Sequence, residues 1–284
     1  MILLFAGAFV FSAAGLVRTL RQADRENEAF KELAALTGEP AGGEAAPAGP
    51  AGAGDPGVSP DGGSSNSGGS GDGSLSGGTF YGEALGSAML GKYLGRDFTA
   101  VAGKNPDFAA WLAIPGMRVD YPVMLTPEDP QFYIHRDFNG ETSASGCLFM
   151  GEGCTADSES IIVYGHNMKN GSMFGSLENY ADGKFGREHP YIVFSVPSED
   201  RIYEVFAAFK TRLYGDGETV FHYYRYGGDL TEERFEELME GAEGLSLYGT
   251  GVSPEYGDRI LMLSTCSYQA EDGRFVVAAR EIHK

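Results

Sequence analysis

Basic residues and cysteine are both scarce in this chain of 284 residues. Its 21 lysines and arginines stand against 40 acidic residues, which gives a formal net charge of -19 at pH 7. This balance argues against a nucleic-acid partner, because a nucleic-acid-binding surface needs a basic patch that neutralises phosphate. The 3 cysteines are too few for a scaffold held by disulfides. Because their number is odd, at least one thiol lies outside any intramolecular pair.

Metal- and cofactor-binding motifs are also missing from the sequence. Cys147 and Cys154 have no second Cys/His pair at zinc-finger spacing, so we expect no structural zinc site. We find no nucleotide-binding motif and expect no cofactor. The six residues between Cys147 and Cys154 leave a disulfide between them open. Both lie in the turn-rich segment 146–157 without catalytic partners, and we expect both to be dispensable for activity.

Long apolar runs are confined to the N-terminus. Residues 1–17 carry no charged side chain, and this run is short for a membrane-spanning helix of about 20 residues. Leu20 and the aliphatic stem of Arg18 can extend it. We interpret residues 1–20 as a membrane signal-anchor. Two alternatives stay open, a signal peptide cleaved near residues 12–14 and a buried core helix.

Two segments of different amino-acid composition follow the apolar run. Phe30, Leu33 and Leu36 recur at helical spacing and predict a juxtamembrane helix over residues 21–37. Residues 38–79 consist mainly of Gly, Ala, Ser and Pro, with acidic charges only. Such a segment buries too little apolar surface to offset the entropy of ordering it, so we expect a flexible linker. A folded catalytic domain is expected over residues 80–284.

The pattern of this domain is mainly β. Short runs rich in aromatic and β-branched residues are separated by Gly, Asn, Asp and Pro, which is typical of a β-barrel or sandwich. The clearest runs are 161–164, 191–196, 202–209, 260–263 and 274–279. A helix over residues 232–242 interrupts them, with Asp229 or Thr231 as its cap and Gly241 or Gly244 as its stop. A second, short helix is expected near residues 176–180.

Cys266 is the first candidate for chemistry. It ends a strand-like run, and Arg274 begins the next one after a polar loop. Two antiparallel strands joined in this way bring the residue leaving the first beside the residue entering the second. A neighbouring cation favours the thiolate, which is the nucleophilic form of cysteine, and can donate hydrogen bonds to an oxyanion. The alternative is a buried structural cysteine beside a surface arginine.

His166 is the second candidate. It follows the apolar run 161–164 and Gly165, in a turn rich in Gly and Asn, and this position predicts a side chain at a cleft. A histidine there can protonate a leaving amine and later accept a proton from an incoming one. The other four histidines, His135, His189, His222 and His283, have weaker contexts and are interpreted as surface or structural residues.

An ordered set of motifs resembles the class B sortases over roughly residues 103–282. Two of them surround the candidate residues: Tyr164-Gly-His-Asn-Met168 with Gly171-Ser-Met-Phe-Gly175, and Leu263-Ser-Thr-Cys266 with Gly273-Arg-Phe-Val-Val277. The remaining motifs are Asn105-Pro-Asp107, Trp111, Ile114-Pro-Gly116, Asp120-Tyr-Pro-Val123, Tyr133, Asp137-Phe-Asn-Gly140 and His189-Pro-Tyr191. The sequence departs from the family at Met262, at Cys147 and in its long linker, none of which is a chemical position.

The resemblance implies a fold and a set of site residues. The fold is a mainly β, closed barrel of about eight strands with a few inserted helices, preceded by a membrane helix and a helical segment. His166, Cys266 and Arg274 fall on the family's catalytic positions. Thr265, Asn167 and Ser264 are the expected substrate-binding residues.

The resemblance also implies a reaction at a Gram-positive cell surface. Cys266 attacks a threonine carbonyl in the C-terminal sorting signal of a surface protein and forms a thioester. An amine of a peptidoglycan precursor, or of a pilin, then resolves the thioester. Arg18, Arg21 and Arg25 follow the apolar run and by charge alone would face the cytoplasm. Because the implied substrates lie outside, we expect a single-pass membrane protein with an extracytoplasmic catalytic domain.

Two other functional classes remain alternatives. A papain-like cell-wall hydrolase has its cysteine before its histidine, whereas Cys266 follows His166 by 100 positions. The Ser-His-Gly-Cys type of run that marks L,D-transpeptidases is absent from the sequence. An inactive, tethered surface-binding module is the non-enzymatic alternative, and it leaves the contexts of Cys266, His166 and Arg274 unexplained.

Overall fold

Eight strands close into one barrel in the computed structural model, which describes residues 25–38, 90–215, 217–267 and 272–282. The strands are β1 (Phe108–Ala113), β2 (Asp120–Met124), β3 (Leu148–Met150), β4 (Ser160–Tyr164), β5 (Tyr191–Val196), β6 (Glu199–Arg212), β7 (Ile260–Cys266) and β8 (Gly273–Glu281). Around the barrel they follow the order β1-β2-β3-β4-β7-β8-β6-β5, and β1 closes the ring by pairing with β5.

Helical segments connect or cover the strands. The described α-helices are α1 (25–35), α2 (Thr99–Ala102), α3 (Gly183–Glu188) and α4 (Glu232–Leu245). Short 3-10 helices cover Phe132–His135, Leu177–Ala181 and Tyr223–Arg225. The mainly β, eight-stranded barrel with inserted helices that the resemblance implies is therefore confirmed.

Strands β4 and β7 lie side by side in the wall of the barrel. They pair in parallel, and all but the last residue of each is buried. Parallel strands with neighbours on both sides are usually buried on both faces, so the sequence of each is a continuous run of apolar residues. Both strands are therefore recognisable in the sequence. Strands β1 to β3 carry weaker signals, since β2 contains Pro122 and β3 has only 3 residues.

Helix α4 begins where the sequence predicts and ends later. The Thr231 hydroxyl accepts a hydrogen bond from the Arg234 amide and caps the helix. The predicted stop at Gly241 or Gly244 is wrong, because the helix continues to Leu245. Gly241 instead serves packing: a Cβ at that position would lie 2.2 Å from the Phe221 ring.

Helix α1 packs against the barrel within the segment predicted to be helical. Phe30 and Leu33 are buried, and the Phe30 ring meets the Tyr121 ring edge-on, with centroids 5.2 Å apart. Glu26 accepts a 2.5 Å hydrogen bond from the Ser145 hydroxyl. This helix is thus part of the folded domain, although the sequence predicts that the domain begins at residue 80.

The predicted signal-anchor, residues 1–20, lies outside the described residues, as does the linker beyond Gly38. In the part of the chain that the structure covers, every helix is too short or too polar to cross a bilayer.

Candidate active site

The site lies at the rim where β4 and β7 end. Tyr164 of β4 is in register with Ser264 of β7, and the two strands run in the same direction. His166 and Cys266 each lie two residues beyond that pair. The parallel register therefore brings both candidates to the same edge of the barrel.

Cys266 lies directly opposite Arg274 in the antiparallel pair of β7 and β8. Side chains of directly opposed residues in such a pair have Cβ atoms about 5 Å apart. The Cys266 thiol is exposed. Nη1 of Arg274 donates to the main-chain carbonyls of Asp272 and Gly273, at 3.3 and 2.9 Å. These bonds orient the guanidinium and leave further N–H donors for a bound molecule.

His166 is held by the 3-10 helix Phe132–His135, which precedes β3 in the chain. Its Nε2 lies 2.7 Å from the main-chain oxygen of Ile134. Because a carbonyl oxygen only accepts, Nε2 carries the hydrogen and Nδ1 is the nitrogen that can exchange a proton in the cleft. Burial lowers the pKa of His166; the Ile134 bond raises it and His135 lowers it further. Burial, the largest of these effects, favours the neutral form of the ring.

Residues next to the candidates hold the strand ends together. The Thr265 hydroxyl donates a 2.7 Å hydrogen bond to the Gly165 carbonyl, and the Asn167 amide donates a 2.8 Å bond to the Cys266 carbonyl. Gly165 allows this approach, because a Cβ there would lie 2.4 Å from the Leu148 side chain. The two residues that flank His166 are therefore hydrogen-bonded to the end of β7, Gly165 to Thr265 and Asn167 to Cys266.

The predicted substrate-binding residues are bonded within the protein. The Ser264 hydroxyl lies 2.7 Å from the Tyr223 hydroxyl, and Ser264 and Thr265 are both buried. Asn167 contacts the Glu178 carboxylate at 3.4 Å in addition to Cys266. All three are close to the nucleophile, and a role in binding substrate stays a prediction.

A groove of about 630 Å³ runs along this rim, and its volume suits a bound peptide segment. His166, Cys266 and Arg274 all line it. Its apolar wall includes Ile134, Phe149, Leu213, Tyr214 and Tyr224. Within the described ranges, no group of three or more His, Cys, Asp or Glu side chains is arranged to hold a metal ion.

Cys147 and Cys154 are free thiols, so the disulfide left open by the sequence is not formed in the structure. Both are buried. Burial raises the pKa of each thiol, which disfavours the reactive thiolate. Cys266 is therefore the accessible thiol among the three.

The structure adds two groups that sequence reasoning missed. The first is the Ile134 carbonyl, which carries no sequence signal because every residue has one. The second is His135, whose ring stacks on that of His166 with centroids 5.2 Å apart and an interplanar angle of 19°. His135 is exposed, as a surface histidine would be, but its ring is in stacking contact with the candidate acid–base.

Comparisons with known proteins agree with this geometry. The sortase domain family model matches residues 112–282. Sortase B of Listeria monocytogenes is 32% identical over 184 residues, covering 63% of this chain and 72% of the relative. The crystal structure of Clostridium perfringens sortase B is 30% identical, with a TM-score of 0.56 over 65% of this chain and 98% of that one.

A third similar structure is the Staphylococcus aureus sortase B–substrate complex. It is 26% identical, with a TM-score of 0.58, and the match covers 65% of this chain and 84% of that one. Together with the family match and the barrel, these similarities show that the chain belongs to the sortase family of cysteine transpeptidases, and within that family to class B.

Proposed function

We propose that this protein anchors surface proteins by acyl transfer through Cys266. The observation that carries the proposal is the meeting of an exposed thiol, a guanidinium and an imidazole at one rim, along a groove large enough for a peptide. The first step is attack of the Cys266 thiolate on a threonine carbonyl in a C-terminal sorting signal. Nδ1 of His166 first takes the proton of the Cys266 thiol. A sulfur–carbon bond forms, the peptide carbon–nitrogen bond breaks, and the same proton passes from His166 to the leaving amine.

The second step resolves the thioester. The nitrogen of an incoming amine attacks the thioester carbonyl, the carbon–sulfur bond breaks, and His166 takes the proton that the amine loses. The amine belongs to a cell-wall precursor or a pilin subunit. In both steps Arg274 donates hydrogen bonds to the substrate oxygen, where negative charge develops.

The proposed location follows from the substrates. A sorting signal and a cell-wall amine meet outside the cytoplasmic membrane, so the barrel would face outward, with residues 1–20 as its single-pass anchor. Membrane fractionation and protease accessibility of the barrel in intact cells test this location. Protection of the barrel from added protease would contradict it.

Product analysis tests the reaction. The purified protein would be incubated with a peptide that carries a threonine-containing sorting signal, together with triglycine as a probe amine. Mass spectrometry should detect the peptide acyl group joined to the amine, and Cys266→Ala should form neither thioester nor product. Release of the free acid at equal rate with and without amine would instead indicate a hydrolase. A wild-type protein that forms no thioester with any sorting peptide would favour a binding module.

A further inference from the structure

The segment Phe132–His135 contacts His166 at two points. The Ile134 carbonyl receives the hydrogen on Nε2 at 2.7 Å, and the His135 ring lies nearly parallel to the His166 ring. A single hydrogen bond leaves a ring free to turn about the axis of that bond. A second ring packed against its face removes this rotation, and so sets the direction of Nδ1.

This segment is itself well anchored. Tyr133 is buried, and its hydroxyl is bonded to Asp107 and Asn105, at 2.8 Å in each case. The Tyr133 carbonyl accepts from the Cys147 amide and the His135 carbonyl from the Ser143 amide. Because hydrogen bonds fix the backbone on either side of Ile134, this segment can hold the neighbouring His166 ring in place.

We propose that His135 is a positioning residue for His166, which it holds by face-to-face contact so that Nδ1 points into the groove. The proposal rests on the proposed role of His166 as acid and base. It assigns no contact between His135 and the substrate. Two consequences follow, one for the orientation of the His166 ring and one for its charge.

The consequence for charge arises because two imidazolium rings at this distance repel each other. A proton on His135 therefore disfavours a proton on His166. Glu178 contacts Asn167, the residue after His166. The other charged or titratable residues that line the same groove as His166 are Asp129, Glu152, Tyr164, Tyr214, Tyr224, Cys266 and Arg274. None of these is altered by a substitution at His135.

Two variants separate orientation from charge. His135→Phe keeps a flat ring but cannot be protonated, and His135→Ala removes both ring and charge. Tyr256→Ala is the control, because it removes an exposed aromatic ring, 53% accessible, that does not line the groove. The measurements are kcat and KM for transfer, and the tautomer and titration of the His166 ring by ¹⁵N NMR.

We expect His135→Ala to lower kcat about tenfold with KM for the peptide little changed, because a misdirected Nδ1 impairs proton transfer rather than binding. We expect His135→Phe to keep kcat within about twofold of the wild type at pH 8. In both variants the His166 titration should move to higher pH. The hydrogen on Nε2 should persist in His135→Phe and become mixed between the two nitrogens in His135→Ala.

Either of two results would overturn the proposal. One is a wild-type kcat, tautomer and titration in His135→Ala, which would make His135 a plain surface residue. The other is an equal loss in both variants, which would assign a polar contact to His135 instead of packing. If the wild-type protein transfers no acyl group, the NMR measurements still decide the positioning role, so failure of the proposed function remains distinguishable.

Discussion

The side chain of Asn167 donates a 2.8 Å hydrogen bond to the main-chain carbonyl of Cys266. The residue after the candidate acid–base is thus tied to the residue that carries the nucleophile, although 99 positions separate them. Because β4 and β7 already pair along their lengths, this bond adds little to the fold as a whole. Its effect is local, since it restrains the turn that follows β4 against the end of β7.

Replacement of Asn167 should therefore affect catalysis more than stability. We expect Asn167→Ala to lower kcat for transfer about tenfold or more, and to reduce the free energy of unfolding by only about 1 kcal/mol. Steady-state kinetics and thermal denaturation measure the two effects. Asn139→Ala, at an exposed turn, is the matched control. A large loss of stability with normal kcat would assign Asn167 to the fold alone.

Substitution of Arg274 tests whether its planar, multi-donor shape matters. Arg274→Lys keeps the charge but loses that shape, and Arg274→Ala loses both. We expect both variants to reduce transfer by about 10²–10³-fold. The melting temperature should hardly change, since Arg274 is only half-buried and a partly exposed arginine contact is worth about 0–1 kcal/mol. Arg187→Lys on the exposed face of α3 is the control. Normal turnover with a lowered melting temperature would contradict a catalytic role.

The three thiols should differ in reactivity with pH. Burial raises the pKa of Cys147 and Cys154, so their thiolates form only at a pH more alkaline than an ordinary cysteine requires. We expect iodoacetamide to label Cys266 in the folded protein, because its thiol is exposed, while the two buried thiols stay unmodified until the protein unfolds.

Peptide mapping of the labelled protein measures this difference. Cys266→Ala should abolish both labelling and transfer and leave folding intact. The double variant Cys147→Ala, Cys154→Ala should keep its turnover within about tenfold of the wild type, because neither thiol lies at the groove rim. Rapid labelling of Cys147 or Cys154 in the folded protein would contradict the buried environment.

Helix α1 gives a test of where the folded domain begins. Phe30→Ala should lower the free energy of unfolding by about 3 kcal/mol, because the side chain is buried against Tyr121. Lys31 forms a salt bridge with Glu28 on the exposed face of the same helix. Lys31→Ala should therefore lower the free energy of unfolding by less than about 1 kcal/mol. Chemical denaturation measures both.

Truncation tests the same point more broadly. A chain that begins at residue 25 should be more stable than one that begins at residue 80, since the shorter chain exposes the surface that Phe30 and Leu33 cover. Equal stability of the two would show that the domain is complete without α1, as the sequence alone suggests.

Local sequence was enough to predict the strands and helices whose characteristic residue pattern lies within a short stretch of the chain. Strands β4 to β8 read as apolar or aromatic runs between turn residues, and α4 reads as an apolar stripe behind a capping threonine. The end of α4 could not be predicted from local sequence. Gly241 is needed for close packing against Phe221, a residue 20 positions earlier in the chain. The placement of Cys266 opposite Arg274 was predictable from the two consecutive strands that carry them.

The sequence by itself determined the chemistry available to this protein: one thiol at a strand end, an arginine at the start of the next strand, a histidine after a third, and the family to which they belong. Tertiary structure alone decided how these groups are held. The parallel register of β4 and β7, the Ile134 carbonyl on Nε2, the His135 ring and the packed helix α1 all join segments far apart in the chain. Contacts of that kind depend on barrel closure, which no local pattern of residues encodes.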